Sequence, residues 1–353
     1  MKKASIIIQA RMASSRLPGK VMADLCGRPM IEFLIERLRS CRLVETIVLA
    51  TTNLPIDNPL AGIGHSLGLS VFRGSESDVL SRYLGAAECF RCDPIVRITA
   101  DCPFVDPLLV DEAIKVFLEG AYNYVSNIDP PSFPDGLDVE VFGANVLAEA
   151  NSSAIDYHHR EHVTTWIRES SSVSKFLLKS SVDHSLLRWT VDEPEDLEVI
   201  RAVVANFAGR SDFSWQQVLE LQQQQPDLFM VNAKFARNNG TSMGEGQKLW
   251  RRAKRVIPGG NMLLSKRAEM FLPEKWPAYF SRSKGCRVWD LDGRELIDMS
   301  IMGIGTNLLG YGHPAVDAAV SATVAAGNMS TLNCPEEVWL AERLVQMHPW
   351  AEM

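Results

Sequence analysis

The sequence predicts an α/β protein in which a mostly parallel β-sheet with flanking helices is followed by a second unit. Over residues 1–231, short apolar runs alternate with segments of helical periodicity, a pattern typical of repeated βα units. A polar, glycine-containing stretch at 232–246 is typical of a linker. Helical and hairpin patterns resume at 247–353. At 353 residues, the chain is also longer than a single hydrophobic core usually supports.

The individual elements follow from their periodicity. Residues 5–9 form a compact apolar run that predicts a buried first strand, and residues 30–39 place four apolar side chains on one helical face. Further strands are predicted at 47–50, 95–99, 137–142 and 188–191. Further helices are predicted over 79–87, from the Asp106 N-cap before Pro107, and around 197–207. The glutamine run at 222–225 and the stretch after 232 are interpreted as linker.

Composition excludes several classes of function. The net charge of −7 gives no chain-wide basic field, so we expect neither a nucleic-acid partner nor an anionic membrane partner. No apolar run approaches the roughly 18 residues of a spanning helix, and the N-terminus lacks the apolar run of a secretion signal. Seven scattered cysteines indicate reduced thiols, and hence a cytoplasmic location. The Cys89/Cys92 pair is interpreted as packing because no second pair or histidine cluster accompanies it.

A loop of small residues with three cations joins the first strand to the first helix. It reads QARMASSRLPGK over 9–20 and carries Arg11, Arg16 and Lys20. Loops at this end of a strand present backbone N–H groups to phosphates, and basic side chains offset the phosphate charge. The loop matches neither a Walker A motif nor GxGxxG. Three cations alone are also compatible with a solvated basic turn.

The complete set of motifs resembles the sugar-acid cytidylyltransferases. The resemblance is closest to the spore-coat polysaccharide type, which is related to the 3-deoxy-manno-octulosonate and acylneuraminate cytidylyltransferases. It extends in order from the 9–20 loop through RGSESDVL (73–80), VRITADCP (96–103), PDGLDVE (134–140), REHVT (160–164) and RWTVDEPEDL (188–197). The resemblance implies a nucleotide-diphospho-sugar transferase fold, Rossmann-like with a mostly parallel mixed sheet. CTP would lie over the carboxyl ends of the strands.

The resemblance also implies roles for individual residues. Arg11 and Lys20 would contact the triphosphate, and the rest of the nucleotide-binding loop would consist of Ala10, Ser14, Ser15 and Arg16. Asp101 and Asp192 match the two family carboxylates that hold Mg²⁺. Each follows a predicted strand, so their side chains could meet at one sheet edge, and Mg²⁺ favours such oxygen ligands. Helix capping is the alternative role for Asp192. Arg11, Lys20, Asp101 and Asp192 form the predicted catalytic set.

Two further groups of residues have less specific signals. The first group falls where relatives of this fold contact the nucleotide, although a capped helix start at Ser77 or Asp78 explains it equally well; it comprises Arg73, Ser75, Asp78 and Arg82. The second group is predicted to bind the acceptor and comprises Asp135, Asp138, Glu140, Arg160, Glu161 and His162. His162 could act as a base or hydrogen-bond donor, or be structural. Arg160 could pair with an acceptor carboxylate or phosphonate.

The segment 247–353 resembles the opening part of the class III aminotransferases, of the glutamate-1-semialdehyde aminomutase type. The matching strings are LWRRAKRVIPGG (249–260), GCRVWDLDGRELID (285–298) and GYGHPAV (310–316). The resemblance implies an incomplete PLP-transferase fold type I segment, without the segment that would bring the Schiff-base lysine. We therefore expect pyridoxal phosphate only in a full-length relative, and no aminotransferase activity from this chain alone. The segment is interpreted as part of a truncated bifunctional enzyme or, alternatively, as a dimerisation or docking arm.

The predicted function is a Mg²⁺-dependent cytidylyltransferase that transfers CMP from CTP to an acidic sugar or related acid, with release of pyrophosphate, in the biosynthesis of a surface polysaccharide or related compound. The expected partners are CTP, an acidic small-molecule acceptor and a second copy of the chain in a homodimer. One alternative is a transferase of the same fold that uses another nucleotide or a nucleotide sugar. Another is a catalytically dead nucleotide-binding scaffold. The acceptor stays open among nonulosonic acids, deoxy-octulosonic acids, other sugar derivatives and phosphonates.

Overall fold

Two compact units make up the computed structural model of the chain, Met1–Trp276 and Pro277–Met353. The structure describes residues 3–14, 16–155, 157–235, 244–273, 275–300, 302–303, 305–327 and 331–351. None of the helices in these ranges is both long enough and apolar enough to cross a membrane.

A seven-stranded sheet forms the centre of the first unit, with strand order β5-β4-β1-β6-β8-β7-β9. The strands β1, β4, β5 and β6 are parallel, β8 runs antiparallel to both β6 and β7, and β9 is parallel to β7. The prediction of a mostly parallel sheet is thus confirmed. The strands of this unit, including a separate two-stranded ribbon of β2 and β3, are β1 (Ala4–Gln9), β2 (Asp24–Leu25), β3 (Arg28–Pro29), β4 (Val44–Thr52), β5 (Ser70–Gly74), β6 (Ile95–Thr99), β7 (Tyr124–Ser126), β8 (Glu140–Phe142) and β9 (Lys175–Leu177).

Helices connect these strands, and four of the helices in the described part of this unit follow its last strand. The α-helices of the first unit are α1 (Met30–Leu38), α2 (Asn58–Ser66), α3 (Val79–Phe90), α4 (Pro107–Glu119), α5 (Ala144–Ser153), α6 (Tyr157–His162), α7 (Thr165–Glu169), α8 (Pro194–Asn206), α9 (Trp215–Gln224), α10 (Pro226–Met230) and α11 (Glu245–Val256). Short 3-10 helices lie at Lys20–Met22, Pro55–Asp57, Leu264–Lys266 and Ala268–Met270. The predicted N-cap at Asp106 is confirmed, because its carboxylate accepts a hydrogen bond from the Leu108 amide at 2.8 Å.

The central strand β1 is buried on both faces. Ile6 and Ile8 belong to a core shared with α1, whereas Ile7 belongs to a second core shared with α3 and α5. A strand covered on both sides reads as a continuous apolar run, which is how the sequence presents it. Each fully buried apolar side chain of this size stabilises the fold by roughly 1.5–3 kcal/mol. These two cores fix the position of the sheet edge at which β1 and β6 end.

Three of the predicted elements are wrong in part. The strand predicted at 137–142 is confined to Glu140–Phe142. The strand predicted at 188–191 is a single bridge between Arg188 and Asp135, because the backbone then leaves the Asp135 segment and the Val191 amide donates to the Asp101 carbonyl instead. The glutamines at 222–224 continue α9, whose Val218 and Leu221 are buried in the core.

The predicted linker differs from the structure at both of its described ends. Asn232 is buried, and its amide donates to the carbonyl of Arg188 at 3.2 Å and to Asp196 at 2.9 Å. At the other end, α11 begins at Glu245, and the first compact unit continues to Trp276. The predicted boundary between 231 and 247 therefore does not coincide with the division into units. Polar side chains indicated a linker, but Asn232 satisfies its polar groups inside the protein.

The second unit contains a three-stranded antiparallel sheet and two helices. The elements are β10 (Phe280–Lys284), β11 (Arg287–Asp290), β12 (Glu295–Ile297), α12 (Pro314–Ala326) and α13 (Pro335–Met347). The predicted hairpin turn at Asp292-Gly293 is confirmed, and Gly293 has the positive φ of 78° that a glycine adopts without strain. Neither α12 nor α13 has a buried residue.

Candidate active site

A cavity of about 570 Å³ opens where β1 and β6 end. Gln9 and Ala10 line it from the end of β1, and Thr99 and Asp101 line it from the end of β6. Three other segments supply further walls: the loop over residues 9–20, called the phosphate loop below, the end of α6 at Glu161 and His162, and α11. The described charged residues of the lining are Arg11, Arg16, Lys20, Arg97, Arg168, Lys248, Arg251, Asp101, Asp135, Asp138, Glu140, Glu161 and Asp192. The cavity is therefore strongly polar, with both signs of charge close together.

The buried Asp57 carboxylate holds the start of the phosphate loop. It accepts a hydrogen bond from the Met12 amide at 2.6 Å and another from the Thr52 hydroxyl at the end of β4. The loop closes on itself through the Gly19 amide, which donates to the Met12 carbonyl at 2.8 Å. Gly19 has a φ of 75°, which favours glycine at this turn. The loop is thus anchored to the neighbouring strand before any ligand binds.

Lys20 lies at the centre of the charged cluster. Its Nζ donates to Asp101 Oδ2 at 3.1 Å, to Asp192 Oδ1 at 2.9 Å and to the Val191 carbonyl at 2.7 Å. Burial alone would lower the pKa of Lys20, but the two carboxylates outweigh it and raise the pKa above its ordinary value. Lys20 therefore carries a full positive charge between two carboxylates.

Asp101 and Asp192 meet in space as the sequence predicts, although they are distant in the chain. The Val191 amide donates to the Asp101 carbonyl at 2.8 Å, and the Thr190 hydroxyl donates to the same carbonyl at 3.1 Å. Burial would raise the pKa of Asp101, but Lys20 and a hydrogen bond from Thr99 lower it to about 2. Asp101 is thus an anion at any physiological pH.

A second buried carboxylate, Asp196, positions Asp192. It accepts hydrogen bonds from the backbone amides of Asp192 and Glu193, each at 2.9 Å, and from both arms of the Arg188 guanidinium at 2.9 and 2.7 Å. Burial would raise the pKa of Asp196, and the hydrogen bonds from Arg188 lower it instead. Arg16 then reaches Asp192 from the phosphate loop at 2.8 Å. The loop and the segment after 188 are therefore joined by ion pairs.

The cavity wall formed by the predicted acceptor residues contains a buried acid, Glu140. Tyr124 donates its hydroxyl to Glu140 Oε2 at 2.6 Å, and Arg97 forms an ion pair with the other oxygen. Burial would raise the pKa of Glu140, but Arg97 lowers it. Because both oxygens have partners within the protein, Glu140 holds Arg97 in place at the cavity wall.

The residues present fit a divalent cation at two places. At the first place, Asp101 and Asp192 offer carboxylate oxygens, the ligand type that Mg²⁺ favours. Asp101 Oδ2 and Asp192 Oδ1 each contact the Lys20 ammonium, so both carboxylates face the same point. Among the described residues, one group of three side chains also lies close enough to share an ion: Glu161, His162 and Glu245. The Lys248 ammonium lies 3.5 Å from Glu161, so a positively charged side chain already contacts this second group.

Comparison with known proteins gives a consistent result for the first unit. The family model described as Cytidylyltransferase matches residues 5–230. The chain belongs to the cytidylyltransferase family. The spore coat polysaccharide biosynthesis protein SpsF of Bacillus subtilis is 33% identical over 237 residues, which are 64% of this chain and 97% of SpsF.

A solved structure supports the same assignment of fold. The cytidylyltransferase from Leptospira borgpetersenii serovar Hardjo-bovis is 33% identical, with a TM-score of 0.62, over 65% of this chain and 97% of that one.

Two further matches cover smaller parts of the chain. A 3-deoxy-manno-octulosonate cytidylyltransferase of Geobacter sulfurreducens is 35% identical over 113 residues, which are 32% of this chain and 44% of that relative. A second family model, described as Aminotransferase class-III, matches residues 273–352.

The cytidylyltransferase cavity brings together most of the predicted site residues. These are Ala10, Arg11, Ser14, Arg16, Lys20, Asp101, Asp135, Asp138, Glu140, Glu161, His162 and Asp192. Ser15 lies outside the described residues. The convergence of the predicted metal carboxylates on one side of the phosphate loop is confirmed, whereas their role as ligands stays a prediction.

Five predicted site residues in the described part of the chain do not line the cavity. Arg160 is wrong as an acceptor ligand in this structure, because its guanidinium pairs with Asp78 at 2.7 Å and with the carbonyls of Asn151 and Ala154. Asp78 also caps α3 by accepting from the Ser81 amide at 2.9 Å, which is the alternative that the sequence left open. These contacts tie α3 to the α5–α6 connection.

The other three of the five residues, Arg73, Ser75 and Arg82, make structural contacts in the same region. Arg73 donates to the carbonyls of Thr52 at 2.9 Å and Leu54 at 2.8 Å. The Ser75 hydroxyl accepts from the Asp78 amide at 3.0 Å, and the buried Arg82 donates to the Ser75 carbonyl. Together these contacts shape the turn between β5 and α3.

Several cavity residues were absent from the predicted set. Arg97 lies within a matching motif, and a cation on an otherwise apolar strand could have revealed it. Arg168 follows in α7. Lys248 and Arg251 had no such signal, because the sequence places them beyond a presumed linker and within the segment that resembles an aminotransferase.

Proposed function

We propose that this cytidylyltransferase transfers CMP from CTP to an acidic sugar or related acid and releases pyrophosphate, in a reaction that depends on Mg²⁺. The observation that carries the proposal is the cluster of Lys20, Asp101 and Asp192 beside the anchored phosphate loop, in a cavity large enough for a nucleotide. The names of the relatives support CTP as the donor and a sugar acid as the acceptor. The reducing environment indicated by seven free cysteines supports a cytoplasmic location.

In this proposal, the acceptor oxygen attacks the α-phosphate of CTP in line, and the bond to pyrophosphate breaks. The protein contributes position and charge rather than a covalent intermediate. Arg11, Arg16 and Lys20 bind the triphosphate and stabilise the charge that develops on the leaving group. Mg²⁺ held by Asp101 and Asp192 would supply further charge neutralisation at the phosphates. A homodimer stays a prediction for this chain.

The function is tested by pyrophosphate release. Wild-type protein is incubated with CTP, Mg²⁺ and a panel of acidic acceptors, and phosphate is measured after treatment with pyrophosphatase. We expect Asp101→Asn to lower the rate by about 100-fold or more, because it removes a charge at the reacting phosphates. The matched control is Asp227→Asn, an exposed aspartate in α10, which should keep wild-type activity. Both variants should show the cooperative thermal unfolding of a folded protein.

The possible outcomes separate the alternatives. Retained turnover in Asp101→Asn would remove this carboxylate from the mechanism. Release of pyrophosphate with UTP rather than CTP would indicate a different nucleotide. Product formation from a nucleotide sugar without pyrophosphate would indicate a glycosyltransferase, and no turnover with any donor would indicate a scaffold.

A further inference from the structure

Helix α11 contributes two cations to the active-site cavity from outside the part of the chain that matches the family. It spans Glu245–Val256, whereas the cytidylyltransferase match ends at 230 and the aminotransferase match begins at 273. Lys248 and Arg251 are three residues apart, so both lie on one face of the helix. Both line the same cavity as Arg11, Glu161 and His162. The helix is therefore a wall of the active site.

The segment that follows α11 holds the helix in place. The Gln247 side chain donates to the carbonyls of Lys275 at 3.0 Å and Trp276 at 2.9 Å. The buried Trp250 donates its ring N–H to Glu269 at 3.0 Å and packs over Gly260 so closely that a Cβ there would lie 2.5 Å from the ring. Buried hydrogen bonds and a packed indole are features of a folded segment rather than of a linker. The position of Lys248 and Arg251 is thus built into the structure.

The two cations change the sign of the charge around the cavity. Among the described residues of the lining, six are acidic, and without α11 only five are basic. Several of those five already have acidic partners: Lys20 and Arg16 contact Asp192, and Arg97 contacts Glu140. Lys248 and Arg251 bring the basic residues to seven, and Lys248 also pairs with Glu161 and with Glu245 of the same helix. Two anionic substrates require such an excess, because buried negative charge is costly without a positive partner.

Contacts place Lys248 near the predicted acceptor residues rather than near the Asp101–Asp192 pair. Its Nζ lies 3.5 Å from Glu161, and the same carboxylate lies 4.0 Å from Arg11 on its other side. Burial would raise the pKa of Glu161, and Lys248 is foremost among the charges that lower it instead. Glu161 therefore separates the phosphate loop from the cations of α11.

The part of this chain that its relatives match indicates which substrate α11 contacts. The match to SpsF covers 97% of SpsF but 64% of this chain, and the Leptospira structure is matched over 97% of its own length. A function common to the family is therefore carried by the matched part, without α11. Because the matched part already contains the loop with Lys20 and the Asp101–Asp192 pair, α11 adds cations to the wall that holds Glu161 and His162, where the acceptor is predicted to bind.

We propose that α11 completes the acceptor subsite, and that Lys248 and Arg251 bind the acidic group of the acceptor, a carboxylate or a phosphonate. Both side chains can donate charge-assisted hydrogen bonds to such a group, and the fork of Arg251 suits two oxygens. This inference rests on the proposed function. It makes α11 a determinant of acceptor specificity in a family whose matched domain supplies the nucleotide site.

The test uses the full chain with the variants Lys248→Gln and Arg251→Gln. The matched control is Arg252→Gln, which changes an exposed arginine on the same helix. The acceptors tried are 3-deoxy-manno-octulosonate, N-acetylneuraminate and methylphosphonate, and KM is measured for the acceptor and for CTP separately. We expect each variant to raise the acceptor KM about 10-fold, because a charged hydrogen bond is lost. The KM for CTP and kcat should stay within about twofold of wild type. The thermal midpoint of unfolding should stay within a few degrees of wild type.

A neutral acceptor distinguishes direct binding from a purely structural role. With the methyl ester of the accepted sugar acid, in which the carboxylate is neutral, wild type and variants should have the same acceptor KM, because the charge that the cations recognise is absent. An equal effect on acid and ester, or a rise in the KM for CTP instead, would overturn the inference while leaving the proposed function intact. Unchanged acceptor KM values would also overturn it. If wild type turns over none of these acids, the proposed function and the inference both fail.

Discussion

The two units of this chain have helices of similar length but very different burial. In the first unit, α3 places Val79, Leu80 and Tyr83 in a core with the central strand. In the second unit, α12 spans thirteen residues as α4 does, but none of its residues is buried, and Val316 is 45% exposed. A helical pattern therefore predicts a helix in both units. Among the described residues, the helices of the first unit pack apolar side chains against its seven-stranded sheet, whereas α12 and α13 bury none.

The same contrast applies to charge. In the first unit, carboxylates and cations pair in buried or half-buried networks, such as Asp196 with Arg188. In the second unit, the Arg287–Glu295 pair joins two exposed side chains, and such surface pairs contribute little to stability. We therefore expect substitutions in the buried networks of the first unit to have larger effects than substitutions of exposed charged residues in either unit.

The largest expected effect comes from Lys20→Met. Loss of the ammonium leaves Asp101 and Asp192 close together, and the pKa of Asp101 should rise above its value of about 2 because burial then acts without this partner. Pyrophosphate release should fall by roughly 100- to 1,000-fold. A matched variant in the second unit, Lys284→Met, replaces an exposed lysine and should leave the rate unchanged. Equal rates for the two variants would break the contrast between the units.

The second prediction concerns stability and pH. Asp196→Asn breaks a buried ion pair and should lower the free energy of unfolding by about 3 kcal/mol at neutral pH. The folded-state pKa of Asp196 lies below 3.8, so the stability that the carboxylate contributes is present above that pH and is lost as pH falls through the folded pKa. The difference between wild type and variant should therefore shrink in acid. Denaturant unfolding from pH 7 to pH 3 measures it, and a constant difference would contradict the account.

The smallest expected effect comes from removing the second unit. A chain that ends at Trp276 keeps both cores, the cavity and α11 with its anchoring contacts. Its kcat and its KM for CTP should stay within about twofold of wild type. A shorter chain that ends at Phe235 lacks α11 and should bind the acceptor more weakly. A large loss of activity in the chain ending at Trp276 would show that the second unit takes part in catalysis.

The sequence was sufficient for the sheet and for the centre of the site. The apolar run of β1 and the periodicity of α1 and α3 reflect burial that each segment already encodes. Asp101 and Asp192 could be placed together because each belongs to a motif at the same edge of the family fold. Their shared contact with Lys20 adds the detail of which atoms meet.

The remaining site residues depend on contacts that no local pattern encodes. Arg160 has the right chemistry for an acceptor ligand, but Asp78, which is 82 residues away in the chain, takes its guanidinium. Lys248 and Arg251 were missed because the polar stretch before them indicated a linker, whereas Asn232 is buried and Gln247 makes internal hydrogen bonds. Polarity alone does not distinguish a solvated side chain from one whose partners lie far along the chain.

The central claim is that Lys20, Asp101 and Asp192, next to the phosphate loop, activate CTP. The most direct measurement is pyrophosphate release by the wild-type chain in the presence of the accepted acid, with CTP, UTP, ATP and GTP in turn, before and after chelation of divalent metal. We expect release with CTP but not with the other three nucleotides, its loss on chelation and its recovery when Mg²⁺ is added back. Release that persists without a divalent metal, or that is as fast with another nucleotide, would contradict it.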